Sequence, residues 1–308
     1  MSLSVRFLGT SASRPTVERN VSSLAVIREG ETLMFDCGEG TQRQMMRYGI
    51  SFTLCEIFFT HMHADHVLGI AGLLRTLALE GRADPMRLYG PEGSASLIRR
   101  AIALGSDRQA FPIEVLELGA GTPLKRNGYS IVPFPVAHGD KIALGYQIAE
   151  ETRLGRFNPE HAKALGIPEG PLWGKIHKGE AVTLENGKTI QASELVGPTR
   201  PGRKIVLTGD SRPCDATIAA AENADLLIHE ATFAEEEAQR ALETGHSTAR
   251  EAAEVAQKAG VKKLALNHFS ARYSRDASIL ESEARAVFSN TVLARDGMEI
   301  PIPFENEG

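Results

Sequence analysis

Cysteine is scarce in this chain. Its 308 residues include three, Cys37, Cys55 and Cys214, and none sits in a CxxC pair. That excludes a disulfide framework and a thiolate zinc site, and it predicts a reducing, cytoplasmic setting. Long hydrophobic runs are absent too. No stretch of eighteen apolar residues occurs, so no transmembrane helix and no membrane partner are expected. Met1-Ser-Leu-Ser-Val-Arg-Phe-Leu8 enters a strand at once and lacks a signal-peptide pattern. A surplus of positive charge is missing as well. The formal net charge is −5, so any nucleic-acid contact has to come from a local basic patch. The length allows one large domain or two small ones.

What the chain does have is histidine in one place. His61-Met62-His63-Ala64-Asp65-His66 puts four metal-competent side chains within six residues. The preceding Glu56 to Thr60 reads as a buried strand, and Val67 to Leu74 as the start of an apolar helix, so the cluster lies on a strand-to-helix turn. His61 and His63, two apart, can grip one metal from an extended turn. Asp65 and His66 follow after the chain has begun to coil and point elsewhere. One short loop can therefore serve two adjacent metals.

The same ending recurs along the chain. Apolar strands run into His61, His138, Asp210, His229 and His268. Loops at one edge of a layered α/β protein build its site, so five such endings predict one shared edge. Strands and helices alternate in both halves, which predicts two sheets, each covered by helices on its outer side. Residues 150–204 break the pattern. They carry five prolines, many glycines, the single tryptophan, Trp173, and no long periodic segment. Nine Lys/Arg against seven Asp/Glu leave this stretch at +2 and the remainder at −7. It reads as an arm inserted into a core made of residues 1–149 and 205–308.

The donor types fit a borderline metal with an open position for water. His61, His63 and His138 would hold one ion; Asp65, His66 and His268 the other; Asp210, with two oxygens, would bridge. Two metals roughly 3.5–4 Å apart can clamp both sides of an in-line displacement at phosphorus. Asp65 can also accept a proton from the attacking water. His246, where a helix is expected to open through Lys258, is the candidate donor to the leaving oxygen, with Glu230 fixing its tautomer. Arg272 is a candidate phosphate contact, and Trp173 a candidate substrate contact in the arm. Asp36 reads as buried support, His229 as backing for a ligand, and His161 and His177 as solvated arm residues.

These residues match a known pattern. The HxHxDH cluster with a later His, Asp and His resembles the metallo-β-lactamase superfamily, which implies a four-layer αβ/βα sandwich. Phe7-Leu-Gly-Thr-Ser-Ala12, Pro15 with Arg19-Asn20, Phe35-Asp-Cys-Gly-Glu-Gly-Thr-Gln42, Gly209-Asp-Ser-Arg-Pro-Cys214, His229-Glu-Ala-Thr232, His246-Ser-Thr248 and His268-Phe-Ser-Ala-Arg-Tyr273 together resemble ribonuclease Z, the tRNA 3′-processing endoribonuclease family. The resemblance runs from about residue 3 to 295. It implies hydrolysis of precursor tRNA after the discriminator base, leaving a 3′-hydroxyl on the tRNA and a 5′-phosphate on the trailer. It also implies two zinc ions per subunit (manganese suits the same ligands), a homodimer, and a flexible arm that grips the tRNA elbow. The carry-over falls on the same ligands, His61, His63, Asp65, His66, His138, Asp210 and His268, with Asp65, His246 and Glu230 as the catalytic group. Ser211 stands where the family usually has Thr, Ala64 where it has Gly, and Val17 where it often has Lys in a loop linked to sensing a CCA end.

Two other readings compete. One is a small-molecule phosphodiesterase or related hydrolase on the same fold; a basic, Trp-bearing arm has no use there. The other is a non-catalytic RNA-binding protein with structural metals, which leaves Asp65 and His246 without a purpose.

Overall fold

Alternation of side chains makes the strands two-faced. In the strand Leu3–Gly9, Leu3, Val5 and Phe7 point into one core and Leu8 into another. In Lys204–Leu207, Ile205 and Leu207 face the first core and Val206 a third. Strands buried on both faces must be covered on both, which dictates layers. The computed structural model describes residues 2–105, 109–184 and 187–304, and it has that architecture.

Two seven-stranded sheets form. The first runs in the order Glu299–Pro301, Leu3–Gly9, Ser23–Arg28, Glu31–Phe35, Glu56–Phe58, Met86–Pro91, Ile113–Leu118. The second runs Thr291–Leu293, Leu264–Asn267, Leu226–Glu230, Lys204–Leu207, Leu144–Glu150, Tyr129–Pro135, Leu124–Arg126. Phe7, Phe35, Phe58, Tyr129, Tyr146 and Ile205 fill the space between the sheets. Phe58 stacks on Tyr89 with ring centroids 4.6 Å apart; burying such a ring contributes about 1.5–3 kcal/mol. Helices Thr41–Tyr48, Ile70–Leu79 and Ala95–Ala103 cover the outside of the first sheet, and Asp215–Ala221, Ala249–Ala259 and Ser278–Arg285 the outside of the second. The order is therefore helix, sheet, sheet, helix, as expected.

Parallel pairing decides where the loops go. Glu31–Phe35 pairs in parallel with Glu56–Phe58, and Lys204–Leu207 with Leu226–Glu230, itself parallel to Leu264–Asn267. Their C-terminal ends share one edge, which receives Asp36, His61, Asp210, Glu230 and His268.

Some boundaries differ from the sequence reading. The helix expected from His246 begins at Ala249, with Thr248 as its cap. The Thr248 hydroxyl accepts from Glu251 N–H at 3.2 Å, and the Glu251 carboxylate accepts from Thr248 N–H at 2.9 Å. Such a box is worth about 1 kcal/mol. The last helix is Ser278–Arg285. Strands Leu124–Arg126 and Leu144–Glu150 and helices Asp215–Ala221 and Ala238–Thr244 were not expected.

Contacts divide the chain into two compact units, Met1–Ile148 with Lys204–Gly308, and Ala149–Arg203. The second unit is not irregular. It holds helices Pro159–Ala164, Pro171–His177 and Ala192–Leu195 and a small hairpin of Val182–Thr183 with Thr189–Ile190. Ala162, Ile167, Ile176, Val182, Ile190 and Leu195 give it a core of its own. Among the described residues, no helix is long and apolar enough to cross a membrane.

Candidate metal centre

The strand Glu56–Phe58 delivers Thr60 and His61 to the common edge, and the short helix Ala64–Val67 carries Asp65 and His66. The turn between them is pinned from beneath, since Cys37 N–H donates to His66 O at 2.7 Å and Gly69 N–H to Cys37 O at 2.9 Å. Gly69 is obligatory at this crossing, because a β-carbon there would lie 1.9 Å from the Gly38 carbonyl oxygen. Burial pushes the Cys37 thiol up to about 12, so it takes no part in the chemistry.

The tautomer of each imidazole is set by its other neighbour. His138 Nδ1–H donates to the Gly245 carbonyl at 2.9 Å. Gly245 has φ +74, and a β-carbon on it would come within 2.8 Å of Gly139 N, so the close approach needs glycine. His66 Nδ1–H donates to Asp36 Oδ2 at 2.8 Å. The Thr60 hydroxyl donates to the same carboxylate at 2.9 Å and accepts from His61 Nδ1–H at 3.1 Å. The Thr232 hydroxyl donates to Glu230 Oε2 at 2.6 Å and accepts from His268 Nδ1–H at 3.0 Å. In the neutral form of these four rings Nε2 is left with a lone pair. Asp36 and His268 sit at positive φ, +58 and +59, a local strain that the surrounding bonds hold in place.

Those lone pairs converge. The donor atoms of His61, His63, His138 and Asp210 lie within 4.8 Å of one another, and so do those of Asp65, His66 and His268. Asp210 faces both groups, one oxygen to each. Its Oδ2 is 3.6 Å from His61 Nε2 and 3.9 Å from His138 Nε2. Its Oδ1 is 3.3 Å from His66 Nε2 and 3.2 Å from His268 Nε2. His63 Nδ1 approaches His138 Nε2 to 3.3 Å. Asp65 Oδ2 lies 3.4 Å from His268 Nε2.

A divalent cation fits this donor set. Among the described residues, His61 Nε2, His66 Nε2 and Asp210 Oδ1 are buried with no hydrogen-bond partner, although buried polar atoms almost always have one. Neutral nitrogen with carboxylate oxygen is the preference of a borderline metal. Against burial, Asp210, Asp36 and Asp65 hold His66 well above the usual histidine range, a positive charge that a bound cation would replace. Burial and the neighbouring His66 keep His61 well below the usual histidine range. Burial opposes ionisation of Asp210, but His268 and His66 hold it well below the usual carboxylate range.

Beside the cage stands a second assembly. Glu230 is buried and accepts from Ser211 N–H at 2.8 Å, from Ser247 N–H at 3.1 Å and from His246 Nδ1–H at 2.8 Å. Burial would lower the His246 pKa, but the Glu230 carboxylate, helped by Asp210 and Asp65, raises it to about 9. Ser211 acts here through its backbone, so replacing a threonine by serine at that position changes nothing in the contact.

A strap holds Asp65 from the other side. Ser13 N–H donates to Asp65 Oδ2 at 2.7 Å, with Ser13 itself at φ +62. The loop carrying Ser13 is tied at both ends to Asp296, which accepts from the Thr10 hydroxyl at 2.8 Å and Asn20 N–H at 2.6 Å. Arg19 adds a bond to Ala294 O at 2.9 Å and lies over the Phe269 ring at 4.7 Å. Replacing Asp296 by alanine is expected to lower kcat roughly ten- to hundredfold, as loss of an orienting partner does. Steady-state kinetics on a small phosphodiester measure it, and an unchanged kcat would show that the strap does not set Asp65.

The sequence candidates divide accordingly. His61, His63, Asp65, His66, His138, Asp210, His268, His246 and Glu230 come together. His229 does not join them; it is fully buried, and its Nδ1–H donates to the Glu230 carbonyl at 2.8 Å. Arg272 is ion-paired with Glu237 and lies 5.7 Å from the Phe233 ring centroid. In the second unit, Trp173 packs on Phe157 with its Nε1–H on Ile167 O at 3.3 Å. His177 is not a solvated loop residue, since its Nε2 bonds Gly155 O at 2.9 Å. Sequence reasoning missed Thr60, Thr232, Gly245, the Ser13 amide and Asp296. Only Thr232 and Thr60, each one or two residues from a named candidate, carried a side-chain signal.

Fold and donor set together define a metallo-β-lactamase-fold protein with a metal-binding site. The metallo-beta-lactamase fold protein YhfI from Bacillus subtilis has the same architecture, with TM-score 0.69 at 19% identity over 97% of this chain and 99% of that one. A family model described as Beta-lactamase superfamily domain matches residues 176–269, and one described as Anti-Pycsar protein Apyc1 matches residues 3–110. The chain is 62% identical to Ribonuclease Z of Gemmatimonas aurantiaca, covering 100% of this chain and 98% of that protein. It is 49% identical to Ribonuclease Z of Myxococcus xanthus over 99% of each. The crystal structure of human tRNase Z, short form, superimposes with TM-score 0.69 at 28% identity, covering 98% of this chain and 100% of that one. The chain belongs to the ribonuclease Z family.

Proposed function

We infer that this chain is a tRNA 3′-processing endoribonuclease, hydrolysing precursor tRNA at the phosphodiester after the discriminator base. The observation that carries the reading is the split of Asp210, one oxygen toward each of two imidazole groups, in a chain with full-length ribonuclease Z relatives. His61, His63 and His138 are assigned to one zinc ion and Asp65, His66 and His268 to a second, with Asp210 shared. When bound, the ions supply positive charge that acidifies the attacking water and stabilises charge on the phosphoryl group.

The residues do the rest. Asp65 Oδ2 is anchored by Ser13, which assigns Oδ1 to receive the proton of the water. The new P–O bond forms as the bond from phosphorus to the 3′-oxygen breaks. His246 gives its proton to that oxygen, so the tRNA keeps a 3′-hydroxyl and the trailer a 5′-phosphate. Glu230 keeps His246 charged and turned to donate.

His246 must be protonated to act as the acid, so activity is present below its pKa and lost as pH rises through it. That pKa is raised to about 9 chiefly by Glu230 against burial, and cations in the cage push it down from there. Replacing Glu230 by glutamine is expected to move the alkaline limb of kcat to lower pH, by about one to two units, and to cut kcat roughly a hundredfold. A pH–rate profile with an unmoved alkaline limb would remove His246 from the acid's role.

Arg272 and Trp173, both partly exposed, are proposed to touch the RNA, and the Ala149–Arg203 unit to act as the tRNA exosite. Homodimerisation and cytoplasmic residence belong to the same proposal. Met46, Leu68 and Leu79 are exposed apolar side chains of the kind that subunit contacts cover, and three free cysteines suit a reducing compartment. Sedimentation at the mass of a single 33.3 kDa chain would end the dimer. The activity is tested with one end-labelled precursor tRNA, with and without chelator. Cleavage directly after the discriminator base, abolished by chelator and restored by zinc, is expected. Products ending elsewhere, or cutting that ignores the chelator, would contradict it.

A further inference from the structure

A cleft of about 240 Å³ opens beside the centre, lined among others by Ser13, Arg14, Phe233, Arg240, Thr244 and His246. It meets the centre on one side only. His246, which belongs to the donor group with Asp210 and His268, forms part of its wall, and so does Ser13, which holds Asp65. His61, His63 and His138 do not line it.

Its charge sets it apart. Among the described residues, no carboxylate lines this cleft, and two exposed arginines, Arg14 and Arg240, do. A larger cleft on the same unit alternates Arg19, Arg47 and Arg295 with Glu18, Glu281 and Asp296, so its charges offset one another. Arg240 lies 5.8 Å from the Phe233 ring centroid, which keeps it at the rim. Thr244 adds a hydroxyl. Cationic forks with hydroxyls beside an acid suit a nucleotide, whose parts are an anionic phosphate and a ribose.

The chemistry says which nucleotide. On the reading above, on which this inference rests, phosphorus stays with the trailer and the leaving atom is the 3′-oxygen of the retained strand. The donor must lie within hydrogen-bonding reach of that oxygen. The ribose bearing it is therefore next to His246, where the cleft is. We propose that this cleft seats the last nucleotide retained on the tRNA, with Arg14 and Arg240 on the phosphate joining it to the nucleotide before. Trailer nucleotides lie outside it.

The test crosses a protein change with a substrate change, because coupling reports contact and a general loss of charge does not. Precursor tRNA is made with a neutral methylphosphonate at the phosphate one nucleotide upstream of the scissile bond, and separately one nucleotide downstream. Each is cut by wild-type protein and by Arg240→Gln, with Arg14→Gln as a second variant; both sites are exposed, and unchanged thermal unfolding confirms folding. Upstream, the variant and the methylphosphonate each lower kcat/KM about tenfold and together still about tenfold, the size of one charge-assisted contact. Downstream, the losses multiply to roughly a hundredfold. Multiplying losses upstream for both variants, or coupling downstream, would overturn the assignment of the cleft while leaving the cleavage reading intact. Failure of wild-type protein to cut the unmodified precursor would sink both.

Discussion

Asp210→Asn is expected to lose on the order of a thousandfold or more in kcat and to leave the purified protein short of metal. Asparagine keeps the shape and removes one anionic oxygen. Both oxygens are in use: Oδ2 faces His61 and His138, and Oδ1 faces His66 and His268, all between 3.2 and 3.9 Å. Asp210 is 2% exposed, so no water can take its place without entering the cage. A bound ion stabilises only the folded state. Wild-type protein is therefore expected to melt at lower temperature after chelation, and Asp210→Asn to show little of that shift. A variant with full metal content and wild-type kcat would refute the shared-ligand assignment.

Deleting residues 152–202 is expected to drop precursor-tRNA cleavage to background, on the order of a thousandfold, while hydrolysis of a small chromogenic phosphodiester stays within about twofold. The removed piece has its own core and, among the described residues, contributes no strand to either large sheet. Its ends are already adjacent, with Arg203 Nε on Glu150 Oε2 at 2.7 Å and Arg153 N–H on Arg200 O at 2.8 Å. A short closure therefore leaves the sandwich and the cage intact. Retention of tRNA cutting by the shortened protein would mean that the catalytic unit binds its substrate alone. Loss of both activities would mean that the segment supports the fold.

How much of this was legible beforehand depends on the kind of signal. The candidate donors could be read because His61, His138, Asp210 and His268 close apolar runs, with His63, Asp65 and His66 just beyond the first, and parallel pairing brings the ends at His61, Asp210 and His268 to one edge. The alternation of strand runs and helices in both halves likewise left few architectures besides stacked sheets with helices outside. The supporting contacts were hidden for a different reason. Ser13 acts through an N–H and Gly245 through a carbonyl, groups that every residue possesses. Asp296 is far from the cluster in sequence and holds the strap only through the fold. The interior order of the arm was missed because its helices have four to seven residues, too few turns to show a period, and its prolines, which read as breakers, sit at first-turn positions in two of them. His246 was read at the opening of a helix, which the Thr248–Glu251 box starts at Ala249. In the structure His246 precedes that helix, and Glu230 fixes both its ring and the next backbone N–H.

Separated loops are proposed to enclose a pair of ions that the reaction needs. Titrating chelated protein with zinc, while recording bound metal and precursor-tRNA cleavage together, tests it most directly. Activity rising to its plateau at two equivalents per chain is the expected result. Full cleavage by metal-free protein, or saturation with no metal bound in the wild type, would contradict it.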